Sequence, residues 1–346
     1  MKKFIINSSL FGFLILLILI SVNYLGDTAK IFDNNYEKKI SEILSKKKNV
    51  TNILNYDERI LQKHIINSFS DRKDIVVIGS SRVMMINSHH FNNKTFFNSS
   101  VSGATVEDYI SIYQIYKTNN LLPEKIIIGL DPWIFNENNM QFRWKSIDEY
   151  YHSFFNKKRV SKKSVKTNNL NQLISLSYFQ ESFKNIYKLN TEPFASERSY
   201  NKGNTKLTDG SITYGIKYRE APVSMVNLKA KKFITGNVSF LEKYTRMSHK
   251  KIKEFDELCQ EILNSGIELS FILTPYHPIV YKKLKSDYNI VIDVENFFIR
   301  YSKQNNIKLS GSFNPELLNL SDDNFYDGMH IKEETRNNLM KQNSVE

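Results

Sequence analysis

Cysteine is nearly missing from this chain: Cys259 stands alone in 346 residues. No disulfide can form within the chain, and a CxxC redox pair or a cysteine-based zinc site is excluded. Cys259 falls in an amphipathic stretch, Ile252 to Ile262, where a lone thiol behaves as a small buried apolar group. Zinc-finger spacing, a basic helix with heptads and an RNP-type aromatic pattern are also missing. The formal charge of +12 therefore argues for no nucleic-acid partner and suits anionic lipid or acidic glycan instead. His89-His90 has no carboxylate or cysteine at ligand spacing, so no metal site is expected there. There are no internal repeats. Apolar residues make up 41% of the chain, slightly low for a globular enzyme, yet Phe and Tyr are abundant enough to build a sizeable core.

The longest apolar run is at the N-terminus. Lys2 and Lys3 precede it, and from Phe4 to Leu25 it reaches the roughly 20 residues that span a bilayer. A cleaved signal peptide is the alternative, but its apolar core is typically about 7–15 residues long. Ser21-Val22-Asn23 and Leu25-Gly26-Asp27 both make poor cleavage sites, which favours an uncleaved anchor at residues 1–26. The positive-inside rule then leaves Lys2 and Lys3 in the cytoplasm and everything after residue 26 outside it, as a single-pass membrane protein.

Residues 27–70 are polar, lysine-rich and weakly helical, with Ile40, Ile43 and Leu44 on one face, and are expected to form a stalk. From Asp74 short apolar runs alternate with helical segments, the pattern of βαβ units and a parallel sheet. The runs are 75–78, 95–97, 125–130, 267–273 and 307–309; helical spacing covers 106–116, 249–263 and 294–304. These predict an α/β domain in two parts, 71–136 and 248–346. Residues 137–247 break the alternation and are expected to be an insertion or cap, with a turn at Thr208-Asp209-Gly210-Ser211. Its basic cluster, from Lys157 to Lys166, could steer an anionic partner or simply be a solvated loop.

The chemistry gathers at predicted strand ends, where doubly wound sheets place their sites. Ile75-Val76-Val77-Ile78-Gly79-Ser80-Ser81-Arg82 sets a serine on the turn after a buried strand, ahead of a helix expected to begin near Arg82. Asp327-Gly328-Met329-His330 supplies a carboxylate and an imidazole three residues apart. A serine becomes a useful nucleophile when a base takes its proton, and the base works best when a carboxylate fixes its tautomer. Ser81 could also be a helix N-cap, and Ser80 is the rival hydroxyl. His277, in Thr274-Pro275-Tyr276-His277-Pro278, is either a substrate contact or a loop histidine.

These blocks resemble the SGNH (GDSL-like) hydrolase superfamily over roughly residues 70–140 and 250–335. Gly79-Ser80-Ser81 is similar to its nucleophile turn, Asn98 to Gly103 to its second block, and Asp327 with His330 to its final pair. The resemblance implies a three-layer α/β/α fold with a flavodoxin-like parallel sheet. It implies Ser81, Asp327 and His330 as the catalytic triad, and Ser81 and Gly103 as oxyanion donors; Gly103 could also be only a turn glycine. In the third block, Gly129-Leu130-Asp131-Pro132-Trp133, Asp131 stands where the family usually has Asn. A carboxylate donates no hydrogen bond unless protonated. Asp131 thus matches an oxyanion-hole position, and is read as a strand-to-loop cap, an electrostatic modifier of the site or an acceptor for a substrate hydroxyl; Arg82 could contact substrate or pair with Asp131.

The Gly-Ser-Ser turn and the anchor resemble a membrane-bound subset of the superfamily that works in envelope-glycan acylation. That implies an acyltransferase or esterase acting on O-acyl groups of an envelope polysaccharide through an acyl-serine, with no cofactor. It also implies a polytopic membrane acyl-donor protein as partner. A non-catalytic binding or scaffold protein of such a complex is the alternative.

Overall fold

The computed structural model describes residues 1–27, 35–157, 171–185, 192–236, 238 and 240–342. Residues 158–166 of the basic cluster lie outside them. Helix α1 (Lys2–Gly26) is exposed along nearly its whole length, and its most apolar 18-residue stretch has a mean hydropathy of 2.5. Its 25 residues reach about 37 Å at 1.5 Å per residue, enough for a hydrocarbon core of about 30 Å. The protein thus has an N-terminal helix long and apolar enough to cross a membrane.

Next come α2 (Tyr36–Ser45), β1 (Asn49–Thr51) and α3 (Glu58–Asn67). The first half of the main domain is β2 (Ile75–Ile78), β3 (Phe96–Asn98), α4 (Val106–Thr118) and β4 (Lys125–Leu130). The inserted region holds α5 (Asp148–Phe154), α6 (Leu176–Asn185), β5 (Phe194–Ser196), β6 (Thr205–Lys206), β7 (Ile212–Thr213), α7 (Ile216–Arg219) and α8 (Val223–Phe233). The second half is α9 (His249–Asn264), β8 (Glu268–Leu273), α10 (Pro278–Asp287), α11 (Ile290–Gln304), β9 (Lys308–Gly311) and α12 (Glu333–Gln342).

Five strands pair in parallel in the order β3-β2-β4-β8-β9, a mixed α/β architecture with a doubly wound sheet. β2 is apolar at four consecutive positions because both of its faces are covered. Val76, Ile78, Ile126, Ile128, Leu269 and Phe271 face a thick layer built from α4, α9 and α11. Ile75, Val77 and Ile127 face a thinner one made of Val83, Ile86 and Met340. The expected helix after Ser81 is absent: residues 81–85 form turns. Their carbonyls are spent elsewhere, since the Asn98 amide donates to Val83 O and Ile86 O, both at 2.9 Å, and Ile212 N donates to Met84 O at 3.0 Å.

The stalk expected over residues 27–70 is also corrected, for its described part. Tyr36, Ile40, Leu44, Val50, Leu61 and Ile65 are buried in one cluster with Phe97 of β3. β1 pairs with β5 and β6 of the insertion in a four-stranded antiparallel sheet, β5-β1-β6-β7. Apolar residues at helical spacing in a lysine-rich stretch were a packing face. The expected turn at 208–211 is present, with Gly210 at φ 78° closing the β6–β7 hairpin.

Lys206 lies in that hairpin, on the same face as Val50, its cross-strand partner. It is buried, and burial pushes its ammonium down to about 8 despite Glu58 and Asp209 nearby. Between about pH 8 and its unfolded value near 10.4, the unfolded chain binds the extra proton, so this residue makes stability rise with pH across that window. Lys206→Met should raise the melting temperature at pH 7 and lose the wild-type gain between pH 8 and 10. Thermal melts of both proteins in detergent at the three pH values check this.

Candidate active site

β2 ends at Ile78, and the chain turns through Gly79. A Cβ on Gly79 would come within 2.4 Å of the Val83 side chain, and one on Gly129 within 2.5 Å. Only glycines at the two neighbouring strand ends let Val83 tuck beneath the turn. That fold-back leaves Ser80 buried, its hydroxyl accepting from Arg82 N at 3.2 Å. Ser81 is only partly buried, and its Oγ is 2.9 Å from His330 Nε2. Of the two serines, Ser81 is the one that meets the imidazole.

The other imidazole nitrogen, Nδ1, sits 3.0 and 2.9 Å from the two carboxylate oxygens of Asp327. Asp327 also accepts from Met329 N at 2.8 Å and His330 N at 2.9 Å. Burial alone would raise its pKa, but His330, Tyr218 and the Met329 amide outweigh burial and hold it well below the usual carboxylate range. An ionised Asp327 fixes Nδ1 as the protonated nitrogen, which leaves Nε2 free to accept from Ser81.

Tyr218, on α7 of the insertion, completes this cluster, and no motif pointed to it. Its hydroxyl donates to Asp327 Oδ2 and lies 3.3 Å from His330 Nδ1. Burial, then the Asp327 charge, push that phenol up. Tyr214 and Tyr326 pack around it, with ring centres 4.6 and 5.4 Å from that of Tyr218, and Lys229 Nζ stands 4.2 Å over its ring. The spacing Tyr214-x-x-x-Tyr218 was the available signal, but it sits in a region whose periodicity matched no domain pattern.

The loop from Ser99 to Gly103 runs beside the Ser81 turn: Ser99 N donates to Val77 O at 2.8 Å and Val101 N to Gly79 O at 2.9 Å. Gly103 has φ 57°, a left-handed backbone that glycine tolerates. Its neighbour Ser102 is held from α3. Glu58 accepts from Ser102 Oγ at 2.8 Å and from its backbone N–H, while Arg59 Nη2 donates to Ser102 O at 3.0 Å. Arg59 is itself fixed by a buried bidentate pair with Asp108, at 2.8 and 2.9 Å. Among the described residues neither Ser81 N nor Gly103 N has a hydrogen-bond acceptor.

Asp131, Arg82 and His277 take other positions than substrate contacts. Asp131 is buried, and its Oδ1 accepts from Arg82 Nη1 at 3.1 Å. Burial raises its pKa, against which Arg82 and the Ser80 hydroxyl act. It is an ion-pair partner below the site, so the oxyanion-donor expectation fails for want of access. Arg82 is equally buried; it also donates to Thr274 O and lies 4.0 Å over the Tyr276 ring. The expected pairing of Arg82 with Asp131 is therefore observed. His277 is fully buried as the N-cap of α10, its Nδ1 accepting from Ile279 N at 3.2 Å, while its backbone N–H donates to Gly328 O at 3.1 Å. It ties α10 to the segment carrying Asp327 and His330. Among the described residues no cluster of three or more His, Cys, Asp or Glu could hold a metal ion.

Comparison with family models and with curated proteins yields no match to this chain.

Two substitutions separate the parts of this site. Arg82→Ala leaves Asp131 buried without its cation, and should cost about 3–5 kcal/mol of stability, the usual range for a broken buried pair, in denaturant unfolding. Tyr218→Phe removes one charge-assisted hydrogen bond, worth about 1.5–3 kcal/mol. Its loss should show in the same denaturant unfolding, because the contact is to Asp327.

Proposed function

We propose that this protein is a membrane-anchored, SGNH-like serine acyltransferase or esterase, acting on O-acyl groups of an envelope polysaccharide. The observation that carries this is the relay Ser81 Oγ–His330 Nε2–Asp327, with its 2.9 Å first link between residues far apart in sequence. The flavodoxin-like strand order adds support, since Ser81 follows β2 at the point where the order reverses between β2 and β4.

In the first step Ser81 Oγ attacks the acyl carbonyl while His330 Nε2 takes its proton. The carbonyl oxygen becomes an oxyanion, for which the free N–H groups of Ser81 and Gly103 are the available donors. As the intermediate collapses, the bond to the leaving oxygen breaks and His330 returns the proton to it, leaving an acyl-Ser81 ester. In the second step His330 takes a proton from an acceptor hydroxyl, which attacks the ester, and returns it to Ser81 Oγ as the acyl–Ser81 bond breaks. Asp327 stays ionised throughout and stabilises the imidazolium. A sugar hydroxyl as acceptor makes the protein a transferase, and water makes it an esterase. We favour transfer beside a polytopic membrane acyl donor, because α1 would hold the site at the membrane with its domain outside the cytoplasm. A silent site in a scaffold protein is the competing reading, favoured by Asp131 being locked away from the third donor position.

A fluorophosphonate probe should label Ser81, with labelling lost in Ser81→Ala and kept in Ser80→Ala. His330→Ala should lower aryl acetate turnover by roughly 10²–10⁴-fold. Wild-type protein that takes up no probe would favour the scaffold reading.

A further inference from the structure

Helix α6 is fastened to the end of α1. The Asn23 side-chain amide donates to the carbonyls of Gln172, Leu173 and Ser175 at 3.0, 2.8 and 3.1 Å. Tyr178 donates to Asp27 at 2.9 Å, and a Cβ on Gly26 would come within 2.6 Å of Ser182. Ser175, Tyr178 and Ser182 thus recur at helical spacing on the side that meets α1.

A second stripe, Leu176, Phe179 and Phe183, runs beside the first at the same spacing. The two phenylalanine rings stack with centres 6.0 Å apart. Leu176 is 70% exposed, Phe183 52%, and Ile174 just before the helix 57%. Ser177, Glu181 and Lys184 make the remaining face polar. Solvent-exposed leucine and phenylalanine in a row are costly in water, at about 25 cal/mol per Å² of apolar surface. They are ordinary in the boundary layer of a bilayer, where amphipathic helices lie flat with one face among the acyl chains. The attachment to α1 supplies the location, because the joint lies at the C-terminal end of a membrane-length helix, where that helix would leave the bilayer.

We propose that α6 is an interfacial membrane helix, seating the Leu176–Phe179–Phe183 stripe in the lipid surface and giving the protein a second point of membrane contact. This rests on α1 spanning the membrane. The partner is the lipid bilayer itself, contacted by apolar side chains and flanked by the polar face toward water.

Cys259 is buried, so single exposed cysteines can be labelled in the full-length protein with little background. Leu176→Cys, Phe183→Cys, Glu181→Cys, Leu16→Cys in α1 and Leu317→Cys on the main domain would each carry a nitroxide. The proteins would be reconstituted in phosphatidylcholine–phosphatidylglycerol vesicles. Spin-label collision rates with oxygen, which concentrates in lipid, and with a water-soluble nickel complex are then compared. The oxygen-to-nickel ratio at 176 and 183 should lie several-fold above that at 317 and below that at 16, while 181 should resemble 317. Water-like ratios at both 176 and 183, with a lipid-like Leu16→Cys, would overturn this proposal and leave the anchor standing. A water-like Leu16→Cys would overturn both. A lipid-like ratio at 181 would also overturn it, since a flat interfacial helix keeps that face in water.

Discussion

The buried pair between Arg82 and Asp131 is the constraint on which the site depends. One guanidinium, immediately after Ser81, reaches the carboxylate at the end of β4 and the Thr274 carbonyl at the end of β8. Three adjacent strand ends are thereby locked to one another, with the Tyr276 ring closing over the cation. Each partner would be expensive to bury alone, so removing either one leaves an uncompensated buried charge. The Ser81 turn is not the tip of a helix, so it lacks the regular hydrogen-bond ladder that would otherwise hold it. The ion pair, Val83 beneath the two glycines, and Asn98 bonding the carbonyls of Val83 and Ile86 do that work instead.

The imidazole side of the site is held by different means. His277 binds the backbone of Gly328, and Asp327 gathers two backbone amides of its own turn. Tyr218 then reaches in from the insertion. The insertion is therefore part of the polar network around the imidazole, which connects the placement of α7 to the charge distribution on Asp327. Such a connection needs no distant pathway, only one hydroxyl that is either present or withdrawn.

Periodicity in the sequence was informative wherever one residue type served one purpose. Four consecutive apolar residues in β2 and the helical spacing in α4 and α9 have no second use, and these elements lie within a residue or two of expectation. The pairing of Ser81 with His330 was legible because the chemistry demands those residue types together. What escaped were features whose partners are remote. Arg59 is indistinguishable from a surface arginine until Asp108 is placed against it. Tyr218 is one tyrosine among many until Asp327 faces it. The helix expected after Ser81 failed for a related reason, since Asn98 and Ile212 compete for its carbonyls from outside the segment. The segment before β2 misled through composition: lysines on its outer side masked an inner face that packs on Phe97.

That segment has a practical consequence for anyone preparing a soluble form. A cut at residue 70, where the alternating strand pattern begins, would remove Glu58 and Arg59 together with β1. Ser102 would lose the side chains that hold it, and the insertion would be left with an unpaired sheet edge between β5 and β6. The resulting fragment would keep its five-stranded sheet but carry an exposed edge that invites aggregation. A cut just ahead of Tyr36 spares both. The boundary between the N-terminal helix and the folded domain, in this chain, lies some thirty residues earlier than the eye places it.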